Sequence, residues 1–278
     1  MKADEILGVG AVRFIEPSFA DLPDSHFTTM LASFPGDQAR LLIDEREDPL
    51  AVAFHNEGVW NVGTFLCRKP SAAAIERFEE VNGEIYQEER AIWAAAVREY
   101  YSREIADQVT PALDDLNKDR PAIIEDLIMK TWGRGAGETC LDFCCGSGVG
   151  SQVLRKLGYS VLSCDNDPSL ISLGLSTQRL MPEETICINA TIASQYIDPV
   201  PRGVGIMMGE INSFSQELWQ QLVTELFSLT RETLITVGTE PEAELIRRWG
   251  EAQERTVDIK ENPKDPIYDR WVCMAHKK

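Results

Sequence analysis

A short stretch of the chain, T-C-L-D-F-C-C-G-S-G-V-G-S over Thr139–Ser151, places closely spaced glycines directly after an apolar run. Gly146 and Gly148 have no Cβ, so the backbone can turn tightly there and a ligand can come close to it. A helix predicted from Val149 would direct its unpaired N–H groups at that ligand and favour a carboxylate or a phosphate. The pattern predicts a strand, a glycine turn and a helix that together bind a small molecule.

Two aspartates lie at positions that suit a nucleoside ligand. Asp142 comes just before the glycine turn, where we expect the polar end of the ligand. Asp165 follows twenty-three residues later, at the end of a second apolar run, V-L-S-C-D. In doubly wound nucleotide-binding folds an acid at this position binds ribose hydroxyls. The two acids and the turn therefore predict a site for a nucleoside-containing cofactor.

The elements that would position this site alternate between strands and helices. The predicted strands are Thr139–Phe143, Ser160–Asp165, Thr185–Asn189, Val204–Met208, Thr233–Val237, Thr256–Lys260 and Arg270–His276. The predicted helices are Val149–Leu157, Ser169–Leu180, Thr191–Tyr196, Gln216–Leu229 and Glu242–Gln253. Such alternation is typical of a parallel sheet with crossover helices on both faces. The last two strands have no helix between them, so they must form an antiparallel pair.

The first half of the chain has a different pattern. Three β-type runs within Ala39–Lys69 predict an antiparallel meander. Apolar residues at helical spacing, Ile85 among them, then predict a helix from Ser71 to Pro111 that Gly83 can kink. A further helix is predicted from Pro121 to the glycines near residue 135. We therefore predict an N-terminal α+β module over residues 1–135. A doubly wound α/β domain over residues 136–278 follows, with a seven-stranded, mostly parallel sheet and an antiparallel last strand.

The composition restricts the possible partners. The chain has 45 acidic residues against 27 Lys and Arg, a net charge of −18. A surface this acidic repels phosphate backbones, so we expect no nucleic-acid partner. Asp4 and Glu5 interrupt any apolar run at the start, and no stretch approaches the roughly 20 apolar residues of a membrane span. Seven cysteines without paired spacing favour reduced thiols. These features predict a cytoplasmic protein with no membrane partner.

Two cofactor classes compete for the glycine turn. The dinucleotide fingerprint G-x-G-x-x-G needs a third glycine one residue later than Gly150. The residues D-F-C-C-G-S-G, with S-C-D after the second strand, instead resemble the class I S-adenosylmethionine (SAM)-dependent methyltransferases. Their first motif is an acid followed by Gly-x-Gly-x-Gly. Asp142, Gly146 and Gly148 match it, and Cys144 stands at the first glycine. The resemblance covers about the second half of the chain and implies a last strand inserted antiparallel beside the sixth.

The resemblance implies SAM as the cofactor and gives roles to individual residues. The residues that would hold its methionine moiety are Asp142, Cys144, Cys145, Gly146, Ser147 and Gly148. Asp165 would bind the ribose hydroxyls, and Asn166 would lie near the adenine. Asn189 and Ala190 stand where many members have an acid and a small residue. The amide oxygen of Asn189 can still accept a hydrogen bond from the adenine amine.

The acceptor of the methyl group is less determined. In-line methyl transfer mainly needs alignment and exclusion of water. The segment Gly209–Phe214 would form the floor of the reaction site, and Glu210 is the candidate that orients or deprotonates the acceptor. Residues 1–135 carry 14 basic and 25 acidic residues, which favours a cationic or neutral acceptor. A protein or peptide side chain is preferred, with a small molecule as the alternative. The absence of a D/N-P-P-Y motif argues against nucleobase and amide nitrogens.

Several features also have purely structural interpretations. Asp167-Pro168 is the pattern of a helix cap, and Glu242 favours a helix start through its charge. Tyr100-Tyr101 can either cover a cofactor or pack a helix. The clustered cysteines lack C-x-x-C spacing, so we expect buried thiols and no metal site. A non-catalytic binding or scaffold protein is disfavoured because the acids and glycines are intact, and an aminopropyl transferase would need paired aspartates after the fourth strand.

Overall fold

The computed structural model describes residues 1–277, and the chain divides into two compact units, Met1–Glu104 and Ile105–Lys278. The helix Arg120–Thr131 belongs to the second unit, because its Ile124 and Ile128 are fully buried in the core of that unit. The division therefore comes before the predicted boundary at residue 135. Within residues 1–277, no helix combines the length and the apolar character that a membrane span requires.

The first unit is built around a five-stranded sheet. Its elements in chain order are α1 (Ala3–Leu7), β1 (Val12–Phe14), α2 (His26–Ala32), β2 (Gln38–Ile43), β3 (Pro49–Asn56), β4 (Val59–Thr64), α3 (Ala72–Glu80), β5 (Glu84–Gln87) and α4 (Arg90–Gln108). The sheet order is β1-β4-β3-β2-β5. The antiparallel pairs β2–β3 and β3–β4 confirm the predicted meander. The parallel edge strands β1 and β5 were not predicted.

The prediction of one helix from Ser71 to Pro111 is wrong in its middle. α3 ends at Glu80, and the chain then forms β5 before α4 begins. Ile85, expected on the apolar face of the helix, pairs with Leu41 across the sheet and is 61% exposed. Pairing with the open edge of β2 therefore outweighs the local helical spacing.

The core of the first unit includes the tyrosine pair. The Tyr101 ring packs 5.5 Å from that of Phe14, and its hydroxyl donates to the carbonyl of Glu16 at 3.0 Å. Burial raises the pKa of Tyr101 far above its usual value. Tyr101 therefore packs α4 on the sheet of the first unit.

The second unit contains the predicted doubly wound sheet. Its elements are α5 (Arg120–Thr131), β6 (Thr139–Phe143), α6 (Val149–Lys156), β7 (Ser160–Asp165), α7 (Pro168–Ser176), β8 (Thr185–Cys187), β9 (Val200–Gly205), α8 (Gln216–Leu229), β10 (Thr230–Val237), α9 (Glu240–Glu251), β11 (Arg255–Glu261) and β12 (Trp271–Lys277). The sheet order is β11-β12-β10-β9-β6-β7-β8. The five strands β10, β9, β6, β7 and β8 pair in parallel in that order. β12 lies between β10 and β11 and is antiparallel to both. This arrangement confirms the predicted fold class.

The bounds of β9 differ from the prediction. We expected Val204–Met208, but the strand covers Val200–Gly205 and ends before the two methionines. A Cβ on Gly203 would clash with Thr230 and Leu226, and one on Gly205 would clash with Met208. Close packing against α8 and β10 therefore selects this segment despite its proline and glycines, which usually weaken strands.

Candidate functional site

The glycine turn lies between β6 and α6, at the carboxyl end of the parallel strands. Cys144, Gly146 and Gly148 all have positive φ angles, of 55°, 53° and 83°. Cys144 therefore adopts the glycine-like angle at its position, at a cost of about 1–2 kcal/mol for a residue with a Cβ. A Cβ on Gly148 would clash with Leu180, whereas one on Gly146 would meet only a Leu170 methyl group at 4.0 Å. The backbone is therefore open to a ligand at Gly146.

Asp142 lies inside the layer between sheet and helix and does not face the open side of the turn. Its carboxylate is 1% exposed and accepts a hydrogen bond from Ser151 Oγ at 2.6 Å. The same hydroxyl lies 2.7 Å from Ser163 Oγ. Burial raises the pKa of Asp142 to about 6, although hydrogen bonds from Ser151 oppose the rise. Asp142 therefore ties β6 to the first turn of α6, and any effect on the polar end of a ligand would be indirect.

Asp165 lies next to the open glycine. Its Oδ2 accepts from the Gly146 N–H at 2.7 Å, and its Oδ1 accepts from the Asp167 N–H at 2.9 Å. Burial raises the pKa of Asp165, while these N–H groups lower it. A carboxylate offers about four lone pairs, so Asp165 keeps acceptor capacity for hydroxyl groups after these two bonds.

The ends of β7 and β8 bring further predicted residues to the same edge. Asp165 pairs with Cys187, and the Ile188 N–H donates to the Asp165 carbonyl at 2.9 Å. Asn166 and Asn189 are both exposed there. β8 ends at Cys187, two residues before the predicted end of this strand.

Asn189 and Ala190 have structural contacts of their own. The amide oxygen of Asn189 accepts from the Thr191 N–H at 3.1 Å and from Thr191 Oγ1 at 2.9 Å, which caps a short 3-10 helix, Ala190–Gln195. Ala190 is 4% exposed. An adenine amine would therefore have to share the Asn189 oxygen with this cap.

The predicted cap at Asp167 is confirmed, and Glu242, predicted to act through its charge, forms a capping box as well. Asp167 accepts hydrogen bonds from the Ser169 and Leu170 N–H groups at the start of α7. Glu242 forms a capping box with Thr239 at the start of α9. Both carboxylates satisfy N–H groups that would otherwise lack partners.

The thiols beside the turn are neutral. Burial raises the pKa of Cys144 and Cys145, and it raises that of Cys187 to about 11. All seven cysteines are free. In residues 1–277, no group of three or more His, Cys, Asp or Glu side chains could hold a metal ion. The thiols therefore pack as small apolar groups.

The loop after β9 holds the predicted catalytic residue. Glu210 is exposed, and its carboxylate makes no hydrogen bond or ion pair within the described part of the chain. Its carbonyl accepts from Trp219 Nε1 at 3.0 Å and from Ser215 Oγ at 2.9 Å. The backbone is therefore anchored while the carboxylate is free to meet another molecule.

Two anchors of this loop were missed from the sequence. Glu242 Oε1 accepts from the Ile211 N–H at 2.8 Å. Thr236 Oγ1 accepts from the Met207 N–H at 2.8 Å and donates to the buried Asp269 at 2.6 Å. Their partners lie far apart in the chain and carry no common motif, so no local signal identifies them. Ser163 is different, because it lies directly opposite Asp142 in the predicted strand pair.

A cavity of about 540 Å³ lies between α5 and the strands β9 to β12, and Trp132, Arg202 and Glu232 line its part at the amino edge of the parallel strands. Arg202 pairs with Glu138 at 2.6 Å and with Glu232 at 3.2 Å. Its guanidinium also lies over the rings of Trp132 and Tyr159, at 5.5 and 5.6 Å from their centroids. The charge of Arg202 is therefore already compensated, and none of the predicted site residues lines this cavity.

No protein-family model and no curated protein sequence matches the chain. Solved structures with a similar fold include a magnesium protoporphyrin IX methyltransferase from Synechocystis with bound SAM, at 13% identity and a TM-score of 0.46 over 66% of this chain and 97% of that one. A ribosomal protein L11 methylase from Lactobacillus delbrueckii has 16% identity and a TM-score of 0.43, over 60% and 83% of the two chains. A precorrin-6y methyltransferase from Geobacter metallireducens has 10% identity and a TM-score of 0.44, over 62% and 95%. At these values the likeness assigns neither an activity nor an acceptor.

Proposed function

We propose that this chain is a SAM-dependent methyltransferase. The observation that carries the proposal is the open backbone at Gly146, whose N–H donates a hydrogen bond to the Asp165 carboxylate. Both lie at the carboxyl end of the parallel strands, in a sheet that also contains the antiparallel strand β12. Ligands of open α/β sheets bind at this edge. A nucleoside with an amino acid tail needs both a close backbone approach and an acceptor for its hydroxyls, so the residues fit the cofactor.

The residues of the turn and of the next two strand ends would hold the cofactor. Cys144, Cys145, Gly146, Ser147 and Gly148 would surround the methionine moiety. Asp165 would accept from the ribose hydroxyls, and Asn166, Asn189 and Ala190 would flank the adenine. Asp142 would support the turn from beneath through Ser151. SAM supplies an electrophilic methyl group on a positively charged sulfur, which becomes a neutral thioether when the methyl group leaves.

Glu210 would serve the acceptor. Its free carboxylate on an anchored loop can attract a cationic group, orient it and accept a proton from it. The loop also carries the large apolar side chains of Ile211 and Phe214, which can displace water from the reacting atoms. The role of Glu210 therefore depends on the acceptor arriving from the solvent side of this loop.

We further propose a protein or peptide side chain as the acceptor, with a small molecule as the alternative. The exposed Glu210 and the overall charge of −18 support a cationic or neutral acceptor over a phosphorylated one. The same charges argue against a nucleic-acid acceptor.

Calorimetric titration tests the cofactor. S-adenosylhomocysteine (SAH), the product form, should bind the purified chain, and NAD should show no comparable heat. Preference for NAD would reject the proposal. Binding of SAH without methyl transfer to any protein or small molecule in a cell extract would instead support the non-catalytic alternative.

A further inference from the structure

Four exposed apolar side chains lie on two neighbouring loops of the second unit. Phe214 is 99% exposed and Leu218 51%, on the loop after β9 and the first turn of α8. Ile267 is 66% exposed and Tyr268 47%, on the loop between β11 and β12. We call these four residues the apolar rim. Large apolar side chains grouped in this way often mark an interaction surface.

The two loops are linked by Thr236, whose Oγ1 accepts from the Met207 N–H at 2.8 Å and donates to Asp269 Oδ1 at 2.6 Å. Glu242 also holds the first loop, because its Oε1 accepts from the Ile211 N–H at 2.8 Å while its Oε2 accepts from the Thr239 N–H at 2.8 Å. The Ile267 carbonyl lies 3.1 Å from where a Cβ on Gly238 would be, and Glu242 Oε2 lies 3.7 Å from the same point. The apolar rim therefore includes Phe214 on the loop that carries Glu210, and Ile267 and Tyr268 on the loop linked to it.

In each loop a side-chain oxygen accepts hydrogen bonds from backbone N–H groups and fixes a turn. Asn212 Oδ1 accepts from the Phe214 N–H at 2.9 Å. Asp265, which is 5% exposed, accepts from the Ile267 and Tyr268 N–H groups at 3.0 and 2.8 Å. The exposure of the apolar side chains is thus a property of two ordered turns.

The charges around the apolar rim are unequal. Glu210, Glu217 and Glu240 are exposed and form no ion pair within residues 1–277. The neighbouring cations are already paired, and these pairs are Lys264 with Asp126, Arg270 with Glu261, and Arg120 with Asp269. The surface therefore presents apolar groups together with uncompensated negative charge.

We infer that the apolar rim is the docking surface for a peptide segment in which a lysine is flanked by apolar residues, and that this lysine is the methyl acceptor. The acceptor role rests on the proposed function. Small-molecule sites are concave and enclose most of their ligand, whereas Phe214 projects almost fully into solvent. Exposed aromatic and aliphatic anchors suit a macromolecular partner, and the unpaired carboxylates select a basic one over RNA.

The reaction balances with these groups. The lysine ammonium gives one proton to Glu210 or to water, and its nitrogen lone pair then forms the new N–C bond. The S–C bond of SAM breaks with its electron pair on sulfur, so the products are methyl-lysine and SAH.

Binding of labelled peptides to the full chain tests docking without any catalysis. We would measure fluorescence anisotropy with three fluorescein-labelled 12-residue probes. One has a central lysine between Leu and Phe, one has the same lysine between Ser and Gly, and one has glutamate in place of lysine between Leu and Phe. The first should bind about tenfold or more tightly than either of the others, because it alone offers apolar burial and positive charge together.

Protein variants assign that binding to the apolar rim. The double change Phe214→Ser and Ile267→Ser should weaken the first probe about tenfold and leave the second unchanged. Ile85→Ser is the matched control, since Ile85 is 61% exposed but lies in β5 of the first unit. SAH affinity should stay the same in Ile85→Ser.

The outcomes separate the two proposals. Equal binding of the three probes, tighter binding of a single-stranded RNA 12-mer, or no effect of the double change would overturn the docking inference, whatever SAH does. Loss of the first probe in the double variant, with transfer of a labelled methyl group from SAM to its lysine in the wild type, supports it. Absence of SAH binding by the wild type rejects the methyltransferase proposal and the acceptor role with it, while the anisotropy still decides the docking.

Discussion

The two edges of the seven-stranded sheet satisfy their charged groups in different ways. At the amino edge, Arg202 is compensated by Glu138 and Glu232 and stacked on two aromatic rings. At the carboxyl edge, Asp165 accepts from backbone N–H groups of the turns around it, and Glu210 has no partner within the described residues. The charge of Arg202 at the amino edge is compensated, whereas the carboxylates at the carboxyl edge can still accept hydrogen bonds.

This difference shows why cavity size alone does not locate a binding site. Arg202 lines the amino end of the cavity of about 540 Å³, yet a ligand beside it would compete with ion pairs and stacking that already exist. The carboxyl edge offers an unobstructed backbone at Gly146 and a carboxylate held by its own loop. Binding there adds partners without removing any, so we expect the function at the carboxyl edge.

The largest loss of SAH affinity at the carboxyl edge is expected from Gly146→Val. The new side chain would occupy the open side of the turn at a positive φ, so SAH affinity should fall roughly a thousandfold or more. Gly133→Val is the control, because Gly133 also has a positive φ, of 79°, and a Cβ added there would meet nothing within 4 Å, but it lies at the end of α5. Titration calorimetry and a melting curve on both variants separate strain from blocked binding. Equal SAH affinity in the two would place the ligand away from the turn.

The second expectation concerns Asp165→Ala. Charge-assisted bonds to two ribose hydroxyls are worth about 1.5–3 kcal/mol each, and water replaces part of them. SAH affinity should therefore fall roughly ten- to several-hundredfold. Asp167→Ala should instead remove the cap of α7 and cost about 1 kcal/mol of stability, with little change in affinity. A larger affinity loss in Asp167→Ala would reverse the roles of the two acids.

The third expectation uses the raised pKa of Asp142. Burial moves this pKa from 3.8 to about 6, so between these pH values the folded chain holds a proton that the unfolded chain has lost. The contribution to stability is therefore present below pH 4 and is lost as the pH rises to 6. Asp142→Asn removes this titration while keeping an acceptor for Ser151. The free energy of unfolding of the variant, relative to wild type, should rise by about 3 kcal/mol from pH 4 to pH 7.

Urea unfolding of both proteins at several pH values measures this difference. SAH affinity at pH 7 should change less than about threefold, because Asp142 lies beneath the turn. Curves that stay parallel from pH 4 to pH 7 would mean that Asp142 does not titrate with a raised pKa.

The smallest effect is expected at the amino edge. Arg202→Leu removes two partly exposed ion pairs and a stacked cation, which should cost about 1 kcal/mol of stability. SAH affinity should be unchanged, since none of the predicted cofactor residues contacts Arg202. A loss of affinity as large as that of Asp165→Ala would show that the two edges are coupled.

The sequence predicts the alternating half of the fold better than the first half. Alternation of apolar strands and helices is a local signal, and α8 has the predicted bounds, Gln216–Leu229. The predicted bounds of β9 are wrong because they depend on glycine packing against α8, which is a long-range contact. The prediction of a helix in place of β5 is wrong because a four-residue strand is stabilised by its partner and has little intrinsic preference of its own.

The predicted site shows the same division. The glycine turn and the caps at Asp167 and Glu242 follow from local spacing, and their geometry can be read from the chain. The burial of Asp142 could not be predicted from local spacing, because it depends on Ser151 and Ser163 converging from two other elements. The anchors of the Glu210 loop depend on Thr236 and Asp269, which only the completed sheet brings near Met207.

The position of β12 has a consequence for the order of folding. β11 precedes β12 in the chain but lies outside it in the sheet, and among residues 1–277 its only strand partner is β12. β11 therefore joins the sheet through β12, which itself must pair with β10, a contact between segments some forty residues apart. Because such non-local pairing is slow, we expect the amides of β11 to gain protection in pulsed hydrogen exchange no earlier than those of β12, in reverse of their order in the chain.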